Sequence, residues 1–169
     1  LTPYTISKML YYTTVNELLK NSLSKLMVAE VFSQFRLVGG TALSLQIGHR
    51  ESIDIDLFSD VEYGTLNFNE IEDFLKNNFE YVDFSDVPPA MGKAYFIGEN
   101  KDNTVKLDIF YTDTYIQPFI EKDGIRMATI EEIIAMKVDV IRRVGRKKDF
   151  WDLHDLLDSY SIMQMIDLH

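Results

Sequence analysis

The stretch LVGGTALSLQIGHRESIDIDLF, residues 37–58, places two aspartates in what otherwise reads as a buried strand. Asp54 and Asp56 alternate with Ile55 and Leu57. Side chains alternate between the two faces of a strand, so both carboxylates are expected on one face. Like charges on an apolar strand repel each other and lose hydration. A divalent cation bound between the carboxylates would remove that cost, so the pattern points to a metal site.

A phosphate-binding turn is predicted just before that strand. Gly39 and Gly40 let the backbone come close to a ligand, and the following segment predicts a short helix from Thr41 to Gly48. The N-terminus of such a helix offers free N–H groups and a positive dipole end, both of which suit a phosphate. Thr41 is a candidate helix cap and a candidate phosphate ligand. Ser52 shares the face of Asp54, so it is expected to border the site.

A third carboxylate is available in the segment KLDIF, residues 106–110, where Asp108 lies between apolar neighbours. Three carboxylates can hold two metal ions, one orienting a triphosphate and one lowering the pKa of an attacking hydroxyl. Asp108 can also take the proton as general base. If the strand is half exposed, however, Asp108 is only a surface residue. The chain has no cysteine and three histidines, so a site built from oxygen ligands is expected, and such sites favour Mg²⁺, Mn²⁺ or Ca²⁺.

The flanking patterns predict an α+β fold, a small mixed sheet flanked by helices with a helical C-terminal part. A single domain is expected, with N-terminal helices over 1–34, a catalytic core over 35–128 and C-terminal helices over 129–169. Helices are predicted within 5–35 and over 41–48, 69–77, 129–143 and 148–160; strands over 35–38, 52–58, 80–84, 93–98, 104–111 and 125–128. Thr129 and Glu132 have the spacing of a capping box.

Composition limits the class of protein. The chain has 169 residues, of which 46% are hydrophobic and 26% charged, so it can bury a core. No apolar run approaches the roughly 20 residues that span a membrane, and no signal peptide is evident. The lack of cysteine fits a cytoplasmic protein. The net charge of −10 repels nucleic acid. The segment 142–148 is a local exception with five positive charges, and it is either a solvated run or a contact for RNA or triphosphate.

The ordered set Gly39-Gly40, Asp54-x-Asp56 and Asp108 resembles the polymerase-β-type nucleotidyltransferase superfamily. More narrowly, the chain resembles the AbiEii/AbiGii toxin family of nucleotidyltransferase-like proteins. That family typically carries GGTAL, then HR-x-S-x-DIDLF, a strand Asp, a helix with A-x-K and a basic-Asp-Phe-x-Asp-Leu segment. The last two correspond here to residues 135–137 and 148–153, and the similarity runs from about residue 35 to 157.

The resemblance implies transfer of a nucleotidyl group from an NTP, with Mg²⁺ or Mn²⁺, to a hydroxyl acceptor such as tRNA, another RNA or a protein. It also implies the toxin role in a toxin–antitoxin or phage-defence pair, with a cognate antitoxin as a possible partner. Lys137 is either a snorkelling surface lysine or, as the resemblance implies, a phosphate contact. Asp149 is a candidate partner for its ammonium. Arg50 either packs at the helix exit or shapes the site.

A second function is kept open beside the enzyme. All three aspartate positions are filled, which favours catalysis. Family members often have further C-terminal helices, and the shorter C-terminal part here favours a catalytically silent module that binds a nucleotide or a partner. A DxD glycosyltransferase is the weakest interpretation, since such enzymes usually need a larger nucleotide-sugar domain. Phe150 and Trp151 are predicted to lie in the core.

Overall fold

The computed structural model describes residues 9–169, which form an α+β fold as predicted: a mixed seven-stranded sheet with six α-helices. The strands are β1 (Arg36–Leu37), β2 (Asp54–Ser59), β3 (Tyr81–Phe84), β4 (Gly92–Asn100), β5 (Asn103–Tyr111), β6 (Ile120–Lys122) and β7 (Ile125–Met127). The helices are α1 (Glu17–Met27), α2 (Gly39–Ile47), α3 (Phe68–Asn78), α4 (Ile130–Arg143), α5 (Lys147–His154) and α6 (Ile162–Asp167). Two 3₁₀ turns, Tyr12–Thr14 and Glu30–Phe32, flank α1.

The sheet has the order β3-β4-β5-β2-β1-β7-β6. The predicted hairpin of β4 and β5 is present as an antiparallel pair. The neighbouring strands β2 and β5 run parallel, so their residues advance in the same direction along the centre of the sheet. This pairing brings two segments that are far apart in the sequence side by side.

One face of the central strands is apolar and the other carries the charged residues. Ile55 and Leu57 of β2 and Leu107 and Ile109 of β5 are fully buried. The helix α1, whose buried residues include Leu23, packs against β2, β4 and β5. The alternate residues of β2 and β5 are half-buried and face the opposite side. The strand period of two therefore sorts the apolar core from the polar site.

Several helix boundaries differ from the predictions. The helix α2 begins at Gly39, two residues before Thr41. The N-terminal region forms α1 and short turns rather than continuous helix, and residues 5–8 lie outside the described part. The segment predicted as helix over 148–160 stops at His154. The additional helix α6 begins at Ile162, and its N-cap residue Ser161 exchanges hydrogen bonds with Gln164.

The cap of α4 is only half of the predicted box. Thr129 accepts the N–H of Glu132 at 3.2 Å. The Glu132 carboxylate does not return to Thr129 but accepts the backbone N–H groups of Ile116 and Gln117, at 3.4 and 2.8 Å. Glu132 therefore fixes the loop before β6, a strand that sequence patterns did not predict.

None of the helices within residues 9–169 is long and apolar enough to cross a membrane.

Candidate active site

A pocket of about 140 Å³ opens on the charged face of β2 and β5, between the start of α2 and the helices α4 and α5. The described structure brings nine of the ten predicted site residues to this pocket. They are Gly39, Gly40, Arg50, Ser52, Asp54, Asp56, Asp108, Lys137 and Asp149. Thr41 is the exception. It is buried beneath the pocket, where its hydroxyl donates to the Asp54 carbonyl oxygen and accepts from Ser52 at 2.7 Å.

The acidic centre is set by the register of the two parallel strands. Asp56 lies directly beside Asp108, and Asp54 lies directly beside Lys106. The two residues in each strand are two positions apart, so all four side chains lie on one face of the sheet. The Lys106 ammonium donates to Asp108 Oδ2 at 2.5 Å, and the Lys148 ammonium lies 3.5 Å from Asp54 Oδ2. The second carboxylate oxygen of Asp108, Oδ1, is buried and accepts no hydrogen bond from residues 9–169.

The electrostatics of this centre show most clearly at Asp56. Burial, the largest cause, and the charges of Asp108 and Asp54 together raise the pKa of its carboxyl to about 6, although Lys106 and Lys148 act in the opposite direction. Ionisation of a carboxyl group whose pKa is raised in this way lowers the stability of the folded protein. At neutral pH the carboxylates of the site therefore repel one another, and a bound cation would reduce that repulsion.

The paired glycines hold the N-terminus of α2 against the acidic centre. Gly39 has a φ of +69°, and a Cβ at this position would lie 2.5 Å from Asp56 Oδ2. A Cβ on Gly40 would collide with the Arg50 guanidinium. The residue before the helix, Val38, provides no side-chain cap. The first N–H groups of α2 therefore have no capping side chain beside the pocket, which is the arrangement that binds phosphate.

A second, basic wall is formed by Lys137 of α4 and by Arg50 and His49, which follow α2, all held by aspartates of α5. Lys137 is only 5% exposed and forms ion pairs with Asp149 Oδ1 at 3.0 Å and Asp152 Oδ2 at 2.6 Å. Arg50 makes two hydrogen bonds to Asp152, through Nε at 2.5 Å and Nη2 at 2.8 Å. His49 Nε2 lies 2.8 Å from the same carboxylate. Lys137 is thus an interior residue with two acidic partners, not a snorkelling surface lysine.

Opposing effects set the pKa of the two buried aspartates. Burial alone would raise the pKa of Asp152, but hydrogen bonds from Arg50 and His49 and the charge of Lys137 hold it well below its usual range. The same balance, through Lys137 and Arg146, lowers the pKa of Asp149. Both carboxylates therefore stay ionised and fix the cations that border the pocket.

Sequence reasoning missed Lys106 and Asp152 as contributors to this site. Two signals pointed to them: Lys106 shares the strand face of Asp108, and Asp152 shares the helix face of Asp149. The prediction that Phe150 and Trp151 are core residues is wrong, since these side chains are 52% and 53% exposed. The buried positions of α5 are Asp149 and Asp152, so its inward face is charged and its aromatic face points outward.

The donor chemistry of the pocket suits a hard divalent cation. Asp56 and Asp108 are adjacent, and Asp108 Oδ1 has no hydrogen-bond partner in the described part of the chain. Carboxylate oxygens are the ligands that Mg²⁺ and Mn²⁺ prefer. Within residues 9–169, however, no three acidic, histidine or cysteine side chains already stand in a ligand cluster. Lys106 and Lys148 lie among the carboxylates instead, so cation binding would require the lysines to move.

The sequence of the chain matches a known protein family. The family model described as nucleotidyl transferase AbiEii toxin, type IV toxin–antitoxin system, matches residues 22–168. An uncharacterised protein of Aquifex aeolicus is 27% identical over 150 residues, which are 82% of this chain and 65% of that protein. The chain thus spans about two thirds of the length of this relative.

Solved structures share the fold. JHP933 of Helicobacter pylori superposes with a TM-score of 0.60 at 24% identity, over 84% of this chain and 64% of that one. MenT4, a nucleotidyltransferase toxin of Mycobacterium tuberculosis, gives a TM-score of 0.53 at 13% identity, over 88% and 60% of the two chains. A Megavirus polyadenylate synthase gives 0.54 at 18% identity, over 84% and 32%. Because the family model extends over nearly the whole sequence, the chain belongs to the AbiEii nucleotidyltransferase toxin family.

Proposed function

We propose that this protein transfers a nucleotidyl group from an NTP to a hydroxyl group of an RNA or protein acceptor, and that it acts as the toxin of a toxin–antitoxin pair with a cognate antitoxin. One observation carries the proposal most directly: Asp56 and Asp108 are neighbours on parallel strands, and Gly39 brings the helix N-terminus of α2 against Asp56. Carboxylates for metal and N–H groups for phosphate are thereby placed in one pocket. Family membership and fold support the same chemistry.

The phosphates of the NTP are assigned to the basic side of the pocket. The N–H groups at Gly39 and Gly40 and the positive end of the α2 dipole favour an anion. Lys137 faces the same pocket, and its two aspartate partners hold it in position. Arg50, fixed by Asp152, adds a second positive charge behind the glycines. Thr41 is assigned only a supporting role, through its hydrogen bonds to Ser52 and Asp54.

Asp54, Asp56 and Asp108 are assigned to divalent cations, Mg²⁺ or Mn²⁺. A bound cation would neutralise the triphosphate and lower the pKa of the attacking hydroxyl. Asp108 takes the hydroxyl proton as general base, since none of the residues 9–169 forms a hydrogen bond with its Oδ1. The acceptor oxygen then forms a bond to the α-phosphorus, the bond from that phosphorus to the bridging oxygen of the β-phosphate breaks, and pyrophosphate leaves.

One observation favours a second candidate, a catalytically silent module that binds a nucleotide or a partner. Lys106 and Lys148 already neutralise part of the acidic centre without a cation. A site with built-in counter-ions can persist without metal chemistry. The two candidates make different predictions for transfer but not for NTP binding.

The test is incubation with each α-labelled NTP, Mg²⁺ or Mn²⁺, and total cell RNA or protein, followed by a search for labelled product. The enzyme proposal expects a labelled macromolecule with the parent protein and none with Asp108→Asn. Thermal-shift titration with the same NTPs runs in parallel. NTP binding without any transfer would overturn the enzyme in favour of the silent module. The toxin role expects induced expression to arrest bacterial growth, and Asp108→Asn to relieve the arrest.

A further inference from the structure

The acidic centre contains its own cation, the ammonium of Lys106. The backbone of Lys106 lies beside Asp54 in the strand register, and its Nζ contacts Asp108 Oδ2 at 2.5 Å. Its charge also acts on Asp56. One lysine thus contacts the Asp108 carboxylate and acts through its charge on Asp56. Its side chain is 39% exposed, so the ammonium can swing towards water without unfolding the strand.

Lysine and a divalent cation compete for the same oxygens. The Oδ1 atom of Asp108 is buried, so a cation that enters from the pocket competes with the ammonium for Oδ2, because both are hard positive charges that need the same lone pairs. A displaced ammonium then stands beside the new cation and is repelled by it. The energetic cost of cation binding therefore depends on whether the lysine finds another anion.

An NTP supplies that anion. Its triphosphate would enter the same pocket, which Lys106 lines together with Gly39 and Lys137. In its presence the ammonium exchanges a carboxylate for a phosphate, and the repulsion between lysine and cation is screened by the phosphate charge. Without the NTP, the same displacement leaves Lys106 facing water and a dication.

We propose that Lys106 is an internal counter-cation that makes divalent-cation binding depend on NTP: it holds the carboxylates when the pocket is empty and moves to the phosphates when cation and NTP enter together. This inference rests on the proposed function. It gives Lys106 a positioning role and explains how a strongly acidic site stays folded without metal. It also predicts a thermodynamic coupling, in which each ligand raises the affinity for the other by the same factor.

Lys148 provides the matched comparison. It also carries one charge near the centre, but its Nζ lies 3.5 Å from Asp54 Oδ2 and it belongs to the first turn of α5 rather than to the central sheet. If removing any one positive charge near the centre raised the affinity for a cation, the effect would be similar for both lysines. If Lys106 has a specific role, its removal should have the larger effect. Lys101, exposed in the turn between β4 and β5, serves as the remote control.

The experiment measures Mn²⁺ binding to metal-free protein by the loss of the free Mn²⁺ signal in electron paramagnetic resonance. Lys106→Met and Lys106→Gln are expected to bind Mn²⁺ about tenfold more tightly than the parent without nucleotide, within the usual range of such couplings. Lys148→Met should gain clearly less, and Lys101→Met should equal the parent. Two neutral variants are used so that poor folding of one does not decide the result.

The second arm measures the affinity for a fluorescent non-hydrolysable NTP analogue, in EDTA and in saturating Mn²⁺. The parent is expected to bind the analogue at least tenfold more tightly with Mn²⁺, and this ratio should shrink in the Lys106 variants. If the parent does not bind the analogue with Mn²⁺, the proposed function fails and the coupling fails with it. If the parent shows the Mn²⁺ dependence but the folded Lys106 variants keep the parent's Mn²⁺ affinity, or Lys148→Met gains as much, only the role of Lys106 is overturned.

Discussion

Replacing Asp56 by asparagine should stabilise the metal-free protein. Burial and the charges of Asp108 and Asp54 raise the pKa of Asp56 to about 6 from a normal 3.8. A rise in pKa from 3.8 to about 6 corresponds to about 3 kcal/mol of unfavourable interaction in the charged form. Asp56 is half-buried and lines the pocket, so water screens part of this unfavourable interaction. We therefore expect Asp56→Asn to raise the free energy of unfolding by about 1–2 kcal/mol at pH 8.

The sign of the pH dependence is fixed by linkage. The folded protein holds the Asp56 proton more tightly than the unfolded chain, so ionised Asp56 lowers stability most above pH 6, and the penalty disappears as pH falls towards 3.8. The gain from Asp56→Asn at pH 5 should therefore be about half of that at pH 8. Urea unfolding with EDTA at both pH values measures it. Asp83→Asn, an exposed residue of β3, is the control and should change neither value.

A loss of stability in Asp56→Asn would refute this reasoning. It would mean that the Asp56 carboxylate is held by a favourable partner rather than strained by its neighbours. A gain of equal size at both pH values would also contradict it, because the effect would then not come from ionisation. Under the proposed function the same variant should lose nucleotidyl transfer while remaining folded.

Other predictions concern the basic wall and the glycine turn. Lys137→Met leaves buried Asp149 and Asp152 short of one cation, so urea unfolding should show a loss of about 2–4 kcal/mol, whereas a snorkelling lysine would cost almost nothing. The lowered pKa values of Asp149 and Asp152 stabilise the fold above about pH 4, and this contribution is lost as pH falls further. Asp152→Asn should therefore be less stable than the parent at pH 7 and lose less between pH 5 and pH 3; equal losses would contradict the ion-pair assignment. Gly39→Ala combines a positive φ with a clash at Asp56, so it should lower both the melting temperature and the affinity for NTP. Gly64→Ala, at a residue with positive φ but open space around it, should have the smaller effect. Equal effects of the two variants would contradict the steric argument.

Local patterns in the sequence were enough to predict much of the fold. The two-residue alternation of SIDIDLF and KLDIF predicted that Asp54 and Asp56 share a face and that apolar residues fill the other, and the burial of β2 and β5 follows that pattern. Gly48 ends α2 in the left-handed conformation, and Thr129 caps α4. Each of these features depends on neighbours within a few residues, which is the range over which backbone geometry and capping act.

The charged neighbourhoods depended on long-range packing instead. The parallel register of β2 and β5 decides that Asp56 meets Asp108 and that Asp54 meets Lys106; a shift of one residue would have placed these side chains on opposite faces. The inward face of α5 was misjudged for a related reason. Hydrophobic periodicity assumes that the apolar side of a helix faces the core, but the buried side of α5 carries Asp149 and Asp152. These two carboxylates are stable there because they are paired with Lys137 of α4 and with Arg50 and His49 at the end of α2. The sequence by itself therefore determined which residues share a face, while the tertiary structure alone decided which charges stand opposite one another, because a buried charge is stable only beside a partner supplied by a distant part of the chain.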